Sequence, residues 1–208
     1  MNLVFLGMSG AGKSTWSSRL EQFGYSKICC DSLIADRLRD VYQIEMIQTI
    51  DNLSDWLGMP DDPAFYERER LFQQCENEVL FAVIDAVAAD QNPESRYVID
   101  MGGSSIYCGE ELFARSRAVA RIVYLKITPQ VHAQMLEAYL QNPRPLMWHG
   151  MYDPRPDESR EAAFRRSYSN LIRYRESQYE RFSDVQLEYE FHRKDDVTVA
   201  EFLAAVAH

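Results

Sequence analysis

The sequence predicts a three-layer α/β/α fold, a five-stranded parallel sheet covered by helices on both faces. Three observations carry this expectation. Short apolar runs alternate along the chain with longer stretches of helical periodicity, the pattern of strands joined by helical crossovers. The first run, Asn2–Leu6, is closed by a glycine-rich octapeptide that opens into a helix-compatible segment. No apolar run reaches membrane-spanning length.

Asn2–Leu6 ends at Gly7 and reads as a parallel strand buried on both faces. Gly7–Gly12 is a loop and Lys13–Phe23 the following helix. Lys27–Cys30 is the second strand, after which Leu33, Ile34 and Leu38 fall at helical spacing from Asp31. Residues 41–61 show no clear period. Met59-Pro60-Asp61-Asp62-Pro63 marks a break. Asp62 is placed to cap a long helix with Pro63 at its first position. That helix carries Phe65, Leu71, Phe72, Val79, Leu80, Val83, Ile84 and Val87, and Asn92-Pro93 ends it.

Tyr97–Asp100 is the third strand, closed by Gly102-Gly103, and Arg121–Ile127 the fourth. Thr128 caps the next helix with Pro129 at its start. Pro143, Pro145, Pro154 and Pro156 make residues 142–158 a loop. Residues 158–182 are helical and rich in Arg and Tyr, Val185–Phe191 is the fifth strand, and Val197–Ala207 the last helix. No repeat or linker divides residues 1–208, which read as a single domain.

Composition limits the functions. Hydrophobic residues make up 46% and charged residues 26% of 208, an ordinary globular balance. A net charge of −10 argues against a nucleic-acid partner, which calls for a basic face. Positive charge is nonetheless concentrated locally. Residues 141–181 hold eight Arg against six Asp or Glu. The chain has eighteen Arg and four Lys, which favours planar two-point contacts to phosphate and carboxylate. Cys29, Cys30, Cys75 and Cys108 have neither metal-ligand nor disulfide-framework spacing. With no charged leader before the first strand, they point to a reducing cytoplasm and no membrane.

Gly7-Met8-Ser9-Gly10-Ala11-Gly12-Lys13-Ser14, followed by Thr15, fits GxxxxGK[ST]. Glycines let the backbone turn its N–H groups toward phosphate oxygens, and the helix after them adds its positive dipole end. Lys13 reaches the β- and γ-phosphates, and the Ser14 hydroxyl is a Mg²⁺ ligand. The preceding strand and following helix are the context this motif requires. The fold expected is therefore that of P-loop NTPases, of the nucleoside-monophosphate-kinase type with a lid. Asp100 ends an apolar strand, so it either holds Mg²⁺ with Ser14 or caps the Gly102-Gly103 turn. No NKxD sequence reads guanine and no LSGGQ stretch marks a transporter ATPase. Kinases of nucleotides or metabolites remain.

GMSGAGKST, FGYSKICCDSLI, LFQQCENEVL, YVIDMGGSS, VYLKIT, NPRPL and YRESQY follow the order and approximate spacing of shikimate kinase. The chain thus resembles that family over nearly its whole length, and the resemblance implies a kinase using ATP and Mg²⁺. It implies that Asp31 binds the acceptor and faces the transferred group. Gly102 and Gly103 would offer backbone N–H groups to the acceptor. Arg144 would be the lid arginine, Arg175 the acceptor-carboxylate arginine, and Arg193-Lys194 the late loop packed on adenine. Residues 40–92 would form an extended substrate-binding helical segment, and residues 142–160 a lid.

The departures fall on the acceptor side. Phe72-Gln73 stands where the family has Phe-Arg, and Arg68 and Arg70 lie within reach as substitutes. Cys29 replaces an Asp, Ser104 replaces a third glycine, and residues 40–62 are longer. Several single residues have plainer readings. Asp31 serves equally as a helix N-cap, Arg144 as a surface charge, and Arg175 as a side chain snorkelling from packed aromatics. Arg165 and Arg166 read as solvated, His149 as a loop histidine without a role, and Tyr168, Tyr174 and Tyr179 as packing. Three functions stay open. They are a kinase of a small hydroxylated metabolite, a nucleotide-binding regulator without acceptor turnover, and a nucleoside or nucleotide kinase. The expected partner is a small-molecule acceptor, and the expected state a monomer or weak dimer.

Overall fold

The computed structural model describes residues 1–141 and 146–207. Five strands run in parallel: β1 (Asn2–Leu6), β2 (Ser26–Cys29), β3 (Tyr97–Asp100), β4 (Ala120–Leu125) and β5 (Val185–Leu187). Their order is β2-β3-β1-β4-β5. In β1, Leu3 to Leu6 are fully buried, as a strand covered on both faces demands.

The helices are α1 (Lys13–Glu21), α2 (Cys30–Asp40), α3 (Ile50–Leu57), α4 (Phe65–Ala89), α5 (Glu110–Val119), α6 (Pro129–Gln141), α7 (Arg160–Phe182), α8 (Tyr189–His192) and α9 (Val199–Ala207). Residues Phe5 and Leu6 point to opposite faces. Phe202 of α9 meets Phe5 edge-on and stacks on Trp16 of α1, at 3.9 Å between ring centres. Tyr124, in register with Leu6, packs on Tyr179 of α7. So α1 and α9 cover one face and α7 the other. Among the described residues no helix is long and apolar enough to cross a membrane.

Several expected boundaries move. Cys30 opens α2 instead of closing β2. Phe65, not Pro63, starts α4, because Asp62 Oδ1 accepts the Ala64 N–H at 2.9 Å and holds a turn ahead of the helix. The unread stretch 41–61 contains α3, begun by the Thr49 N–H donating to Asn52 Oδ1 at 3.2 Å. The expected fifth strand Val185–Phe191 stops at Leu187, where the edge of the sheet ends and Tyr189–His192 turns into α8. Thr128 caps α6 as anticipated, its Oγ1 accepting the Val131 N–H at 3.2 Å.

Candidate functional site

The strand order reverses direction at β1, which lies between β3 and β4. Open parallel sheets carry their ligand crevice at such a point, beyond the carboxyl ends of the strands. The loop after β1 is Gly7–Gly12 and the loop after β3 starts at Met101, so both glycine motifs meet there. A cavity of about 230 Å³ lies between them, lined by Ser9, Gly10, Gly12, Lys13, Ser14, Thr15, Asp31, Asp100, Gly103 and Arg193.

Backbone sterics explain the glycines. Gly7 has φ +143° and a Cβ there would lie 2.8 Å from the Leu125 carbonyl at the end of β4. Gly7 therefore permits strand contact and does not line the cavity, and Ala11 is likewise buried behind it. Lys13 is 8% exposed. Its Nζ donates to the Gly7 carbonyl at 2.9 Å and the Met8 carbonyl at 3.2 Å. Burial lowers its pKa, while the nearby Asp100 and Asp31 carboxylates oppose that shift.

The Ser14 hydroxyl donates to Asp100 Oδ2 at 2.9 Å. The end of β3 thus faces the start of α1, and the two oxygens converge as a hard divalent cation requires. The residues present fit Mg²⁺ and a phosphate chain: two convergent oxygens, a buried ammonium, and a glycine loop at a helix start.

Asp31 sits inside the first turn of α2, whose N-cap is Cys29, so it is not the helix cap. Burial raises its pKa, with Lys13 pulling it down and Asp100 pushing it further up. A Cβ on Gly102 would lie 2.5 Å from Asp31 Oδ1 and 3.3 Å from Glu76 Oε1. Gly102 is needed because two carboxylates press against it, not because its φ is unusual. Gly103 accepts the Tyr179 hydroxyl at 2.6 Å through its carbonyl.

Arg175 lies beneath this turn and is 6% exposed, so it is not a snorkelling side chain. Its Nη2 donates to the Met147 carbonyl at 2.6 Å, and its Nε has no partner among the described residues. Gln73 Nε2 donates to the Tyr107 carbonyl at 3.4 Å. Arg68 is drawn to Asp62 at 3.6 Å and Arg70 is exposed. Arg144 lies outside the described residues.

Arg193 and Lys194 part company. Arg193 lines both the glycine-loop cavity and a second one beside Thr128, Gln134 and Tyr189, whereas Lys194 lines only the second. Arg165 pairs with Glu137 as a solvated helix charge does, whereas Arg166 pairs with Glu158 half-buried. Tyr168 and Tyr179 are buried, while Tyr174 is 38% exposed. His149 is exposed and stacks on Tyr107 with ring centres 4.1 Å apart.

Two acids were not anticipated. Glu76 is fully buried, accepts the Ser104 hydroxyl at 2.7 Å, and leaves Oε2 without a partner among the described residues. Burial pushes its carboxyl up to about 8, against the Ser104 hydrogen bond. Ser104, where the family has glycine, is therefore occupied by this acid. Glu69 accepts the backbone N–H of Trp148 at 2.5 Å and of His149 at 2.8 Å. Both acids share the buried stripe Phe65, Glu69, Phe72, Glu76, Val79, Val83 of α4. An acid at helical spacing within an apolar stripe was the available signal.

Fold and glycine loop together are those of the P-loop NTPase fold. Its likeness to solved structures is narrower than that. It matches shikimate kinase from Aquifex aeolicus with a TM-score of 0.59 and 18% identity, covering 100% of this chain and 96% of that one. Shikimate kinase from Bacteroides thetaiotaomicron gives 0.56 and 15%, covering 100% and 94%. The Acinetobacter baumannii enzyme in complex with shikimate gives 0.55 and 17%, covering 98% and 88%. The chain has the shikimate-kinase fold. No protein-family profile matches the sequence, and no curated protein matches it.

Proposed function

We propose that this protein is an ATP-dependent kinase that transfers the γ-phosphoryl group to a hydroxyl of a small metabolite. One observation carries the reading. The donor elements Lys13, Ser14 and Asp100 and the acceptor elements Asp31 and Gly103 line the same cavity. Phosphoryl transfer needs little covalent help from a protein and much positioning and charge.

Bound Mg²⁺ and ATP would supply the transferable group and part of the counter-charge. Ser14 and Asp100 would hold the metal, and Gly10–Thr15 the phosphates. Lys13 places positive charge at the point of transfer, and the resemblance gives Arg144, outside the described residues, the same task. Asp31 orients the acceptor hydroxyl and takes its proton. Its burial beside Lys13 keeps it close to both charges. Gly102 and Gly103 present backbone to the acceptor, and Arg175 a guanidinium.

Residues 40–92 form the acceptor-side wall. Residues 142–160 form a lid whose described end is anchored by Glu69 to Trp148 and His149 and by Arg175 to Met147. With its four free thiols the protein would work in the cytoplasm, as a monomer or weak dimer.

Lys13→Met tests the scheme. Loss of the ammonium should weaken ATP binding roughly ten- to a hundredfold. A variant that binds and turns over ATP as the wild type does refutes it. A second reading, a nucleotide-binding regulator, draws support from Gln73 and from the Arg175–Met147 bond. An ATP-consumption screen across hydroxy acids, sugars and nucleosides separates the two, since a regulator turns over with none.

A further inference from the structure

The loop after α8 carries two adjacent cations, and only the first of them reaches the glycine loop. Arg193 lines the phosphate cavity together with Ser9, Gly10, Gly12 and Lys13. It also edges a second cavity of about 870 Å³, lined by residues that include Thr128, Gln130, Gln134, Tyr189 and Lys194. Lys194 lines only the second. A Cβ on Gly12 would lie 3.1 Å from Arg193 Nη1 and 3.5 Å from its Cδ, so the side chain lies along the cradle backbone.

The loop is fixed to the cradle's own helix. Trp16 Nε1 donates to the His192 carbonyl at 2.9 Å, and Arg19 donates to the Val197 carbonyl. On its far side, His192 Nε2 lies 2.8 Å from the Lys126 carbonyl. Among the described residues the Arg193 guanidinium pairs with no carboxylate, whereas Lys126 nearby is held by Glu188 at 3.0 Å. An exposed guanidinium therefore lies over the glycine loop without a carboxylate partner among the described residues.

We propose that Arg193 binds the phosphate chain of the nucleotide, as a second fixed positive charge beside Lys13, rather than packing on the base. The proposal rests on the nucleotide-binding reading above and assigns the base side of the crevice to Lys194. A planar guanidinium matches two phosphate oxygens at once. A side chain already laid on the loop loses little freedom on binding.

The test is calorimetric titration of wild type, Arg193→Ala and Arg193→Lys with inorganic tripolyphosphate and with ATP, each with Mg²⁺. Arg193→Ala should weaken both ligands by a similar factor, about tenfold. Arg193→Lys should recover part of it, restoring the charge but not the fork. Weakened ATP binding with unchanged tripolyphosphate binding would mean base packing and overturn the proposal. Unchanged binding of both would overturn it as well. A wild type that binds neither ligand removes the nucleotide reading itself, and this proposal with it. Arg193 is exposed, so the alanine variant keeps its fold.

Discussion

Replacing Glu76 with Gln should change how stability depends on pH. The native carboxyl is pushed up to about 8, from an ordinary value of 4.5. Below pH 4.5 the acid is protonated in both folded and unfolded chains, and the shift has no effect. Between 4.5 and about 8 the unfolded chain gives up a proton that the folded chain keeps. The unfolded state then binds fewer protons, so stability falls as pH rises, by about 1.4 kcal/mol per pH unit. Above 8 both forms are ionised and the loss levels off.

Between pH 5 and pH 8 this one group should remove about 3–4 kcal/mol from the wild type. The amide of the Glu76→Gln variant keeps an oxygen to accept from Ser104 and cannot ionise. The variant should therefore gain on the wild type steadily across that range, because all other titrating groups cancel in the comparison. Urea unfolding followed by circular dichroism at pH 5, 6, 7 and 8 measures the difference. Two stability curves that run parallel from pH 5 to 8 would show that Glu76 is not a buried, protonated acid.

Gly102→Ala would place a methyl 2.5 Å from Asp31 Oδ1, forcing that carboxylate away at a cost of about 1–3 kcal/mol. A thermal melt reads the loss, and an unchanged melting temperature would mean the turn has more room than described. Trp148 is fully buried and packed against Tyr139, Tyr152, Phe164 and Tyr168. Trp148→Ala should therefore cost about 3–5 kcal/mol in denaturant unfolding. A change below about 1 kcal/mol would deny that residues 146–152 are part of the core.

The donor half was legible because it depends on residues close in sequence. Gly7, Gly12, Lys13 and Ser14 lie within one octapeptide, and the strand before it is marked by unbroken apolar residues. Asp100 could be placed at a strand end, but only the sheet order brings it to Ser14, 86 residues away. The acceptor half was less legible because its contacts are remote and cross element types. Glu69 meets Trp148 across 79 residues, and nothing local announces that bond. Glu69 and Glu76 read as ordinary helix acids until their place in the apolar stripe of α4 is noticed. The resemblance treats Arg193 and Lys194 as one loop at the base, while only Arg193 reaches the glycine loop. Neighbouring side chains in a loop point to different places, and Gly12, lacking a side chain, lets the guanidinium settle on the cradle. The fifth strand was drawn too long because Val185–Phe191 is apolar enough for a strand, while α8 needs the same apolar residues to pack.

The position of β1 also bears on how the molecule is made. This central strand is hydrogen-bonded to β3, which begins at Tyr97, and to β4, which begins at Ala120. A ribosome adding 5–20 residues per second leaves roughly 6–25 s between β1 and the completion of its second neighbour. Until Asp100 is made Leu3–Leu6 has neither neighbour to pair with, and until Leu125 is made it has only one. The glycine loop, which hangs from the end of that strand, is thus synthesised well before the neighbours that hold its strand in place. Folding is expected to be slow, as for other sheets whose neighbours lie far apart in sequence. A nascent chain halted before residue 120 should depend on chaperones and bind no nucleotide.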